Sequence, residues 1–339
     1  MTFFLGFVFT AVGVGMVPAM LRLMQTPAEV LPEATLYLRI CFSGVLGLMI
    51  YNMGSGILRA VGDSNRPFLL LVACALVNTV LDLVFVLRFK MGVEGVALAT
   101  IISQAVSAVL VLVILLREKS CVRVSVRALK ADMPILGKIF RVGIPAAMQM
   151  AITAFSNVFI QSYINHFGAD FMAGWTTYSK IDQVMFLPMQ SVALATTTFV
   201  GQNLGKGQVD RAKKGIRCAF LISEVSTVCL LIPVMFFAPA LVGFFNAKPE
   251  VVTYGTTILR VISPFFLASC VNHVYAGALR GAGNSMAPML IMLSSFVLFR
   301  QVYMFAVSRL FPDAMLPVMM GYPAGWMVCS AATMVYYRR

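Results

Sequence analysis

Three acidic residues, Asp82, Asp182 and Glu224, lie inside long apolar stretches. A charge at the centre of a membrane-embedded helix costs about 2.5–3.5 kcal/mol on insertion scales, so each is a candidate for ion or proton chemistry. Asp82 is the strongest. Asn78 precedes it by four residues, one helical turn on the same face, so an amide oxygen and a carboxylate converge. Such a pair can hold Na+ through hard oxygen ligands, or the acid can take up a proton, because desolvation disfavours its charged form. The structural alternatives are an acid reaching outward to water or one paired with Arg88. Lys180 and Asp182 are two apart and point to different faces, so Asp182 is expected to find Arg300 or a neighbouring row of amides. That row is Gln149, Thr153, Asn157, Gln161 and Asn165, spaced by four into one polar ridge. Such a ridge faces a wet cavity or polar helix neighbours; we take Gln149, Thr153, Asn157, Gln161 and Asp182 as candidates for lining a substrate cavity.

Other chemistries lack their residues. His166 and His273 are isolated, with no partners for a catalytic triad or a metal set. The seven cysteines are scattered, without a CxxC pair, and read as small apolar fillers. The stretch "GQNLGKGQVDRAKKG" (201 to 215) lacks the GxxxxGK[ST] pattern and follows an apolar helix where a strand is required, so it reads as a hinge or packing turn and not an ATP site. The expectation is therefore no enzyme, no ATP and no organic cofactor.

These residues sit on helices that must cross a bilayer. Of 339 residues 60% are hydrophobic and 12% charged, with mean hydropathy +0.89, far from soluble domains. Runs such as "RPFLLLVACALVNTVLDLVFVLRF" supply the roughly 20 apolar residues that span about 30 Å of hydrocarbon. The class is all-α integral membrane. Ten spans are expected: 2 to 23, 29 to 57, 67 to 88, 93 to 116, 139 to 166, 171 to 198, 214 to 240, 251 to 279, 287 to 310 and 315 to 337. The apolar start lacks a basic leader and a small-residue cleavage site, so it reads as a retained helix. The net charge of +13 does not imply nucleic acid, because 17 of the 26 Lys and Arg fall in the loops of one side. Short-loop bias of this kind puts the basic side in the cytoplasm. A multi-pass protein of the cell's inner or plasma membrane with both termini cytoplasmic follows.

The chain also repeats itself. "LRAVGDSNRP" begins at Leu58 and "LRGAGNSMAP" at Leu279, an offset of 221, and residues 29 to 67 match 250 to 288 without gaps at 12 of 39 positions, Arg39/Arg260 and Gly56/Gly277 among them. Internal duplication is a mark of secondary transporters. Both copies of the turn fall on one side, so the repeat is parallel. At this offset two spans of the second half, within about 139 to 221, have no partner upstream. The expected organisation is an N-terminal bundle of four spans out of six (1–116), a basic cytoplasmic linker (117–138) and a C-terminal bundle of six (139–339). Asn78 and Asp82 align with Phe299 and Tyr303, so the ionisable pair is confined to the first bundle.

In their order and spacing, "LRAVGDSNRP", "NTVLD", "GVEGVALAT", "VGIPAAMQ", "SKIDQVMFLPMQ", "FVGQNLGKGQVDRAKKG" and "LRGAGNS" resemble the multidrug and toxic compound extrusion (MATE) family over essentially the whole chain. The family's twelve helices form two six-helix lobes, so the chain resembles a member without its first two helices. The resemblance implies that Asn78 and Asp82 match the Asn-xxx-Asp pair of the N-lobe cation site, Thr100 its hydroxyl ligand and Tyr37 a nearby aromatic. Asp82, Asn78 and Thr100 would be the metal ligands if coupling is to Na+. A further acid on the family's first helix has no counterpart, nor have the C-lobe acids of some members. The implied activity is antiport by alternating access, exporting organic, often cationic and amphiphilic, compounds against H+ or Na+. The expected partners are a small-molecule substrate and membrane lipid, without nucleic acid, and the expected state is a monomer. Alternatives are a lipid-linked glycan flippase of related fold, with Arg39, Lys180, Arg260 and Arg300 as its available cations, or an inserted but inactive truncated chain.

Overall fold

A computed structural model of the chain describes residues 2–23, 29–118, 123–125 and 132–338; much of the basic linker expected at 117–138 lies outside them. Every regular element among the described residues is helical. The chain divides into two compact units, Met1–Ala131 and Asp132–Arg339.

The first unit contains α1 (Thr2–Leu23), α2 (Leu31–Ser43), α3 (Val45–Ala60), α4 (Asn65–Leu83) and α5 (Val93–Arg117). α2 and α3 form one apolar stretch bent by 42° at Gly44. α4 runs on as a π turn, Val84–Arg88, closed by the Phe89 N–H donating to the Val84 carbonyl at 3.2 Å. α5 is the central helix: it packs on α2, α3 and α4, and its buried face is largely small (Gly95, Ala97, Ala99, Ser103, Ser107, Ala108), which lets neighbouring backbones approach without a hydrophobic driving force.

The second unit contains α6 (Met133–Asn165), α7 (Ala169–Gly205), α8 (Val209–Phe236), α9 (Ala238–Phe245), α10 (Pro249–Ile262), α11 (Phe266–Gly281), α12 (Met286–Leu293), α13 (Arg300–Leu310), α14 (Met315–Met319) and α15 (Gly321–Arg338). A 3-10 turn, Ser263–Phe265, joins α10 to α11, and a π turn, Ser294–Phe299, joins α12 to α13. Among the described residues eight helices are long and apolar enough to cross a membrane, or nine with the bent pair α2–α3. The stretch expected as a tenth span is divided between α14 and α15.

The offset of 221 carries helix ends as well as residues. α3 begins at Val45 and α11 at Phe266; α3 ends at Ala60 and α11 at Gly281; α4 begins at Asn65 and α12 at Met286. The two turns share one hydrogen-bond pattern. Gly62 (φ +89°) and Gly283 (φ +84°) adopt the left-handed conformation that ends a helix cheaply only at glycine. Each donates to the arginine carbonyl three residues back, Arg59 or Arg280, at 2.9 Å. The next residue, Asp63 or Asn284, then accepts from the N–H three further on, Arg66 at 3.2 Å and Ala287 at 3.1 Å, so the turn closes one helix and caps the next.

α7 lies against α10 and α11 through glycine. Gly174 meets Gly255 backbone to backbone, and a Cβ built on Gly277 would stand 2.5 Å from the Ala193 carbonyl oxygen. The Thr197 hydroxyl donates across the same seam to the Gly277 carbonyl at 2.9 Å. An aromatic cluster of Trp175, Tyr178, Phe186, Phe266, Tyr322 and Trp326 fills the core beside it.

Candidate functional site

In the first unit, α4 places Asn78 and Asp82 one turn apart, directly before the π turn at Val84. The π turn closes the helix at its C-terminal end, where such turns occur, and nothing in the sequence announces it. Both residues are half-buried, and each carries an enclosed polar atom without a hydrogen-bond partner among the described residues: Nδ2 of Asn78 and Oδ1 of Asp82. Enclosed polar atoms are normally paired, and leaving one unpaired costs about 1–3 kcal/mol. Asp82 forms no ion pair with Arg88. Tyr37 on α2 stands one turn before Cys41 on the same helix. Thr100 on α5 commits its hydroxyl proton to the Val96 carbonyl at 2.9 Å, which leaves its oxygen lone pairs free to accept or ligate. Rotating the Asn78 amide by half a turn exchanges Nδ2 for Oδ1; the α4 pair then presents only oxygens. The amide and carboxylate oxygens of the α4 pair are of the type that suits a hard monovalent cation, or a proton on Asp82; Thr100 stands on α5, which packs against α4.

In the second unit the polar ridge of α6 is divided. Gln149 donates to the Met292 sulfur at 2.6 Å, and Asn157 accepts from Arg300 Nη2 at 2.7 Å. Thr153 is half-buried, and Asn157, Gln161 and Asn165 are exposed, the last two bonded to each other at 2.9 Å. One part of the ridge is thus interhelical packing and another is free surface.

Asp182 does not pair with Arg300. It accepts from the Tyr178 hydroxyl at 3.0 Å, one turn earlier on α7. Arg300, at the head of α13, is 3% exposed. Its Nη2 donates to Ser156 Oγ (3.2 Å) and Asn157 Oδ1, its guanidinium stacks 4.8 Å above the Tyr322 ring, and its Nε is enclosed and unpartnered. Spacing by four along α7 signals the Tyr178 contact in the sequence. The Arg300 contacts join residues about 143 apart, and no local pattern carries them. Tyr303, the repeat counterpart of Asp82, donates to the Pro317 carbonyl at 3.0 Å.

The stretch weighed as a nucleotide loop is a helix end. α7 continues to Gly205, Gly207 (φ +72°) turns the chain, and α8 begins at Val209.

The sequence profile of the MatE family matches residues 1–84 and 145–305. Similar proteins include the probable multidrug resistance protein YpnP of Bacillus subtilis, 29% identical over 97% of this chain and 73% of its own length. Another is the probable multidrug resistance protein NorM of Thermotoga maritima, 27% identical over 91% of this chain and 67% of its own length. A protein of Shewanella oneidensis named FAD transporter is 24% identical over 88% of this chain and 67% of its own length. Among solved structures, a MOP superfamily transporter from Pyrococcus furiosus, whose binding pocket is described as having reverse polarity that suggests a different function, matches with a TM-score of 0.94. It is 22% identical over 99% of this chain and 76% of its own.

Proposed function

Because the chain belongs to the MatE family of multi-pass membrane transporters and is a transporter, not an enzyme, we propose that it is a secondary active antiporter that exports small organic compounds by alternating access. The exchange ion is H+ or Na+, taken up at Asp82 with Asn78, Thr100 and Tyr37. The single observation that carries this reading is the pair of enclosed, unpartnered atoms on Asn78 and Asp82. A cation or proton satisfies both and removes the charge cost of Asp82, so it favours one packing of α4 over another and biases the transporter between its two states. Linkage then requires cargo and ion to alter each other's affinity by the same factor. In this reading the helices make ten spans: the eight apolar ones, the bent pair α2–α3, and α14 with α15. The relatives named for multidrug resistance support amphiphilic drugs as cargo, with Asp182 and the exposed ridge of Asn157 and Gln161 as the polar side of the substrate path.

The test is Asp82→Asn in proteoliposomes loaded with a cationic dye, with pH gradient, Na+ gradient and membrane potential imposed separately. Gradient-driven efflux is expected to disappear while the protein stays folded and inserted. Efflux at the wild-type rate under every gradient rejects Asp82 as the coupling residue.

A second reading concerns the charge of the cargo. Arg300 is a buried cation without a carboxylate within 4 Å among the described residues, which favours a cargo bearing an anionic group; the FAD transporter is a relative by name. Flavin nucleotide efflux that exceeds cationic dye efflux from the same vesicles supports this reading, and the reverse ranking rejects it.

A further inference from the structure

The short turn between α7 and α8 carries a basic run: Lys206, Arg211, Lys213, Lys214 and Arg217 fall within twelve residues. Along α8 these cations divide by face. Arg211 and Lys214 lie on the stripe that continues through Gly215, Cys218 and Ile222, spaced by three and four; Lys213 lies on the far side, and Arg217, three residues after Lys214, flanks the stripe. The Arg211 stripe borders a groove of about 570 Å³ between α7 and α8, whose α7 wall includes Ala195 and Phe199. The groove has two ends of different chemistry. Near the turn stand two exposed cations; further into the span the walls are apolar, reaching Ile222 about 16 Å along the helix from Arg211.

Arg211 and Lys214 are not held by a carboxylate of the described residues. Arg211 bonds only the Gln208 side chain, at 3.3 Å, while its guanidinium stands 5.8 Å over the Phe199 ring. That ring packs against Gly215, where any Cβ would overlap it, so the floor is built by a glycine next to an aromatic. Ala195, Cys218 and Ile222 along the groove are exposed, and an open apolar channel on a membrane-spanning helix pair is filled by hydrocarbon.

We propose that the α7–α8 groove binds one anionic phospholipid, its phosphate between Arg211 and Lys214 and one acyl chain along the apolar floor. Basic pockets between membrane helices near the bilayer surface hold anionic headgroups. A free phosphate engages the cations and leaves the channel empty; a neutral lipid fills the channel and leaves the cations unmatched. An anionic lipid does both, whatever cargo the transporter moves.

The experiment compares phosphatidylglycerol with phosphatidylcholine of identical chains, added to the detergent-purified full chain. Lipid retention is read by native mass spectrometry, and thermal unfolding of the lipid-free protein checks folding. One phosphatidylglycerol is expected to be retained with a preference of about thirtyfold, the order of two headgroup-facing cations. Arg211→Gln with Lys214→Gln should bring the preference to within about twofold, whereas Lys213→Gln with Arg217→Gln, which removes the same charge from outside the groove lining, should leave it in place. Equal retention of both lipids overturns the site. So does a preference that survives loss of Arg211 and Lys214, or one lost equally in the two double variants, which marks diffuse attraction and not a groove.

Discussion

Replacing Gly277 by alanine should destabilise the second unit, although alanine is the better helix former. The new Cβ would stand 2.5 Å from the Ala193 carbonyl oxygen and 3.2 Å from its carbon, whereas carbon and oxygen in close interhelical contact keep about 3.3–3.6 Å. The obstacle is backbone, so no rotamer change relieves it, and α7 and α11 must part by nearly an ångström. Overpacking of this kind costs about 1–3 kcal/mol. The bond from Thr197 to the Gly277 carbonyl stretches with it, and an interhelical hydrogen bond in a membrane protein averages about 0.6 kcal/mol. Against these stands a helix-propensity gain of at most about 1 kcal/mol. The net loss is about 0.5–2.5 kcal/mol. The repeat supplies the control: Gly56 aligns with Gly277, and a Cβ there meets nothing within 4 Å, so Gly56→Ala should be neutral or stabilising. The assay is the midpoint of thermal unfolding in detergent, read by fluorescence-detected size exclusion. If the two variants melt together, the glycine seam is not what holds α7 on α11.

Further outcomes are expected elsewhere. Arg300→Met should lower efflux of an anionic cargo; a destabilised variant with intact efflux would make the guanidinium an anchor for Ser156 and Asn157 instead. At the surface, the Asp170 carboxylate bonds Lys248 at 2.6 Å and holds its ammonium charged above the usual lysine range. A raised value in the folded state means that the contribution is complete at neutral pH and is lost only as pH rises through that raised value. Both groups are exposed, so Lys248→Gln should melt with the wild type in high salt at pH 7; a salt-independent loss would contradict a solvent-screened pair.

The sequence carries the local part of this molecule. Hydropathy and the Gly62 and Gly283 turns place the helix ends, and the spacing of four isolates Asn78 with Asp82 on one face. Its contribution stops where geometry is long-range or where the helix leaves its usual pitch. Asp182 finds Tyr178 and not Arg300, because a partner on its own helix is already in reach, whereas Arg300 is claimed by the α6 hydroxyl and amide and by the Tyr322 ring. α9, packed against α10, falls across the expected end of the 214 to 240 span, since an apolar run does not say where it folds back. The ridge on α6 is uniform as a pattern and split in fact, because periodicity fixes a face but not which neighbours cover it.

The two π turns separate the repeats in angle. Each inserts one residue beyond the α count, which turns everything downstream by about 100°. In the first unit the extra residue falls after Asp82, at Val84–Arg88; in the second it falls before Arg300, at Ser294–Phe299, which is 73 to 78 in the numbering of the first copy. Between the two positions, residues 79 to 83 and 300 to 304 share a ruler but not a compass bearing. An aspartate grafted at Tyr303 would therefore occupy the depth of Asp82 and face another way. The halves are not interchangeable cassettes, and one helical register shift is enough to give a duplicated template two different interiors.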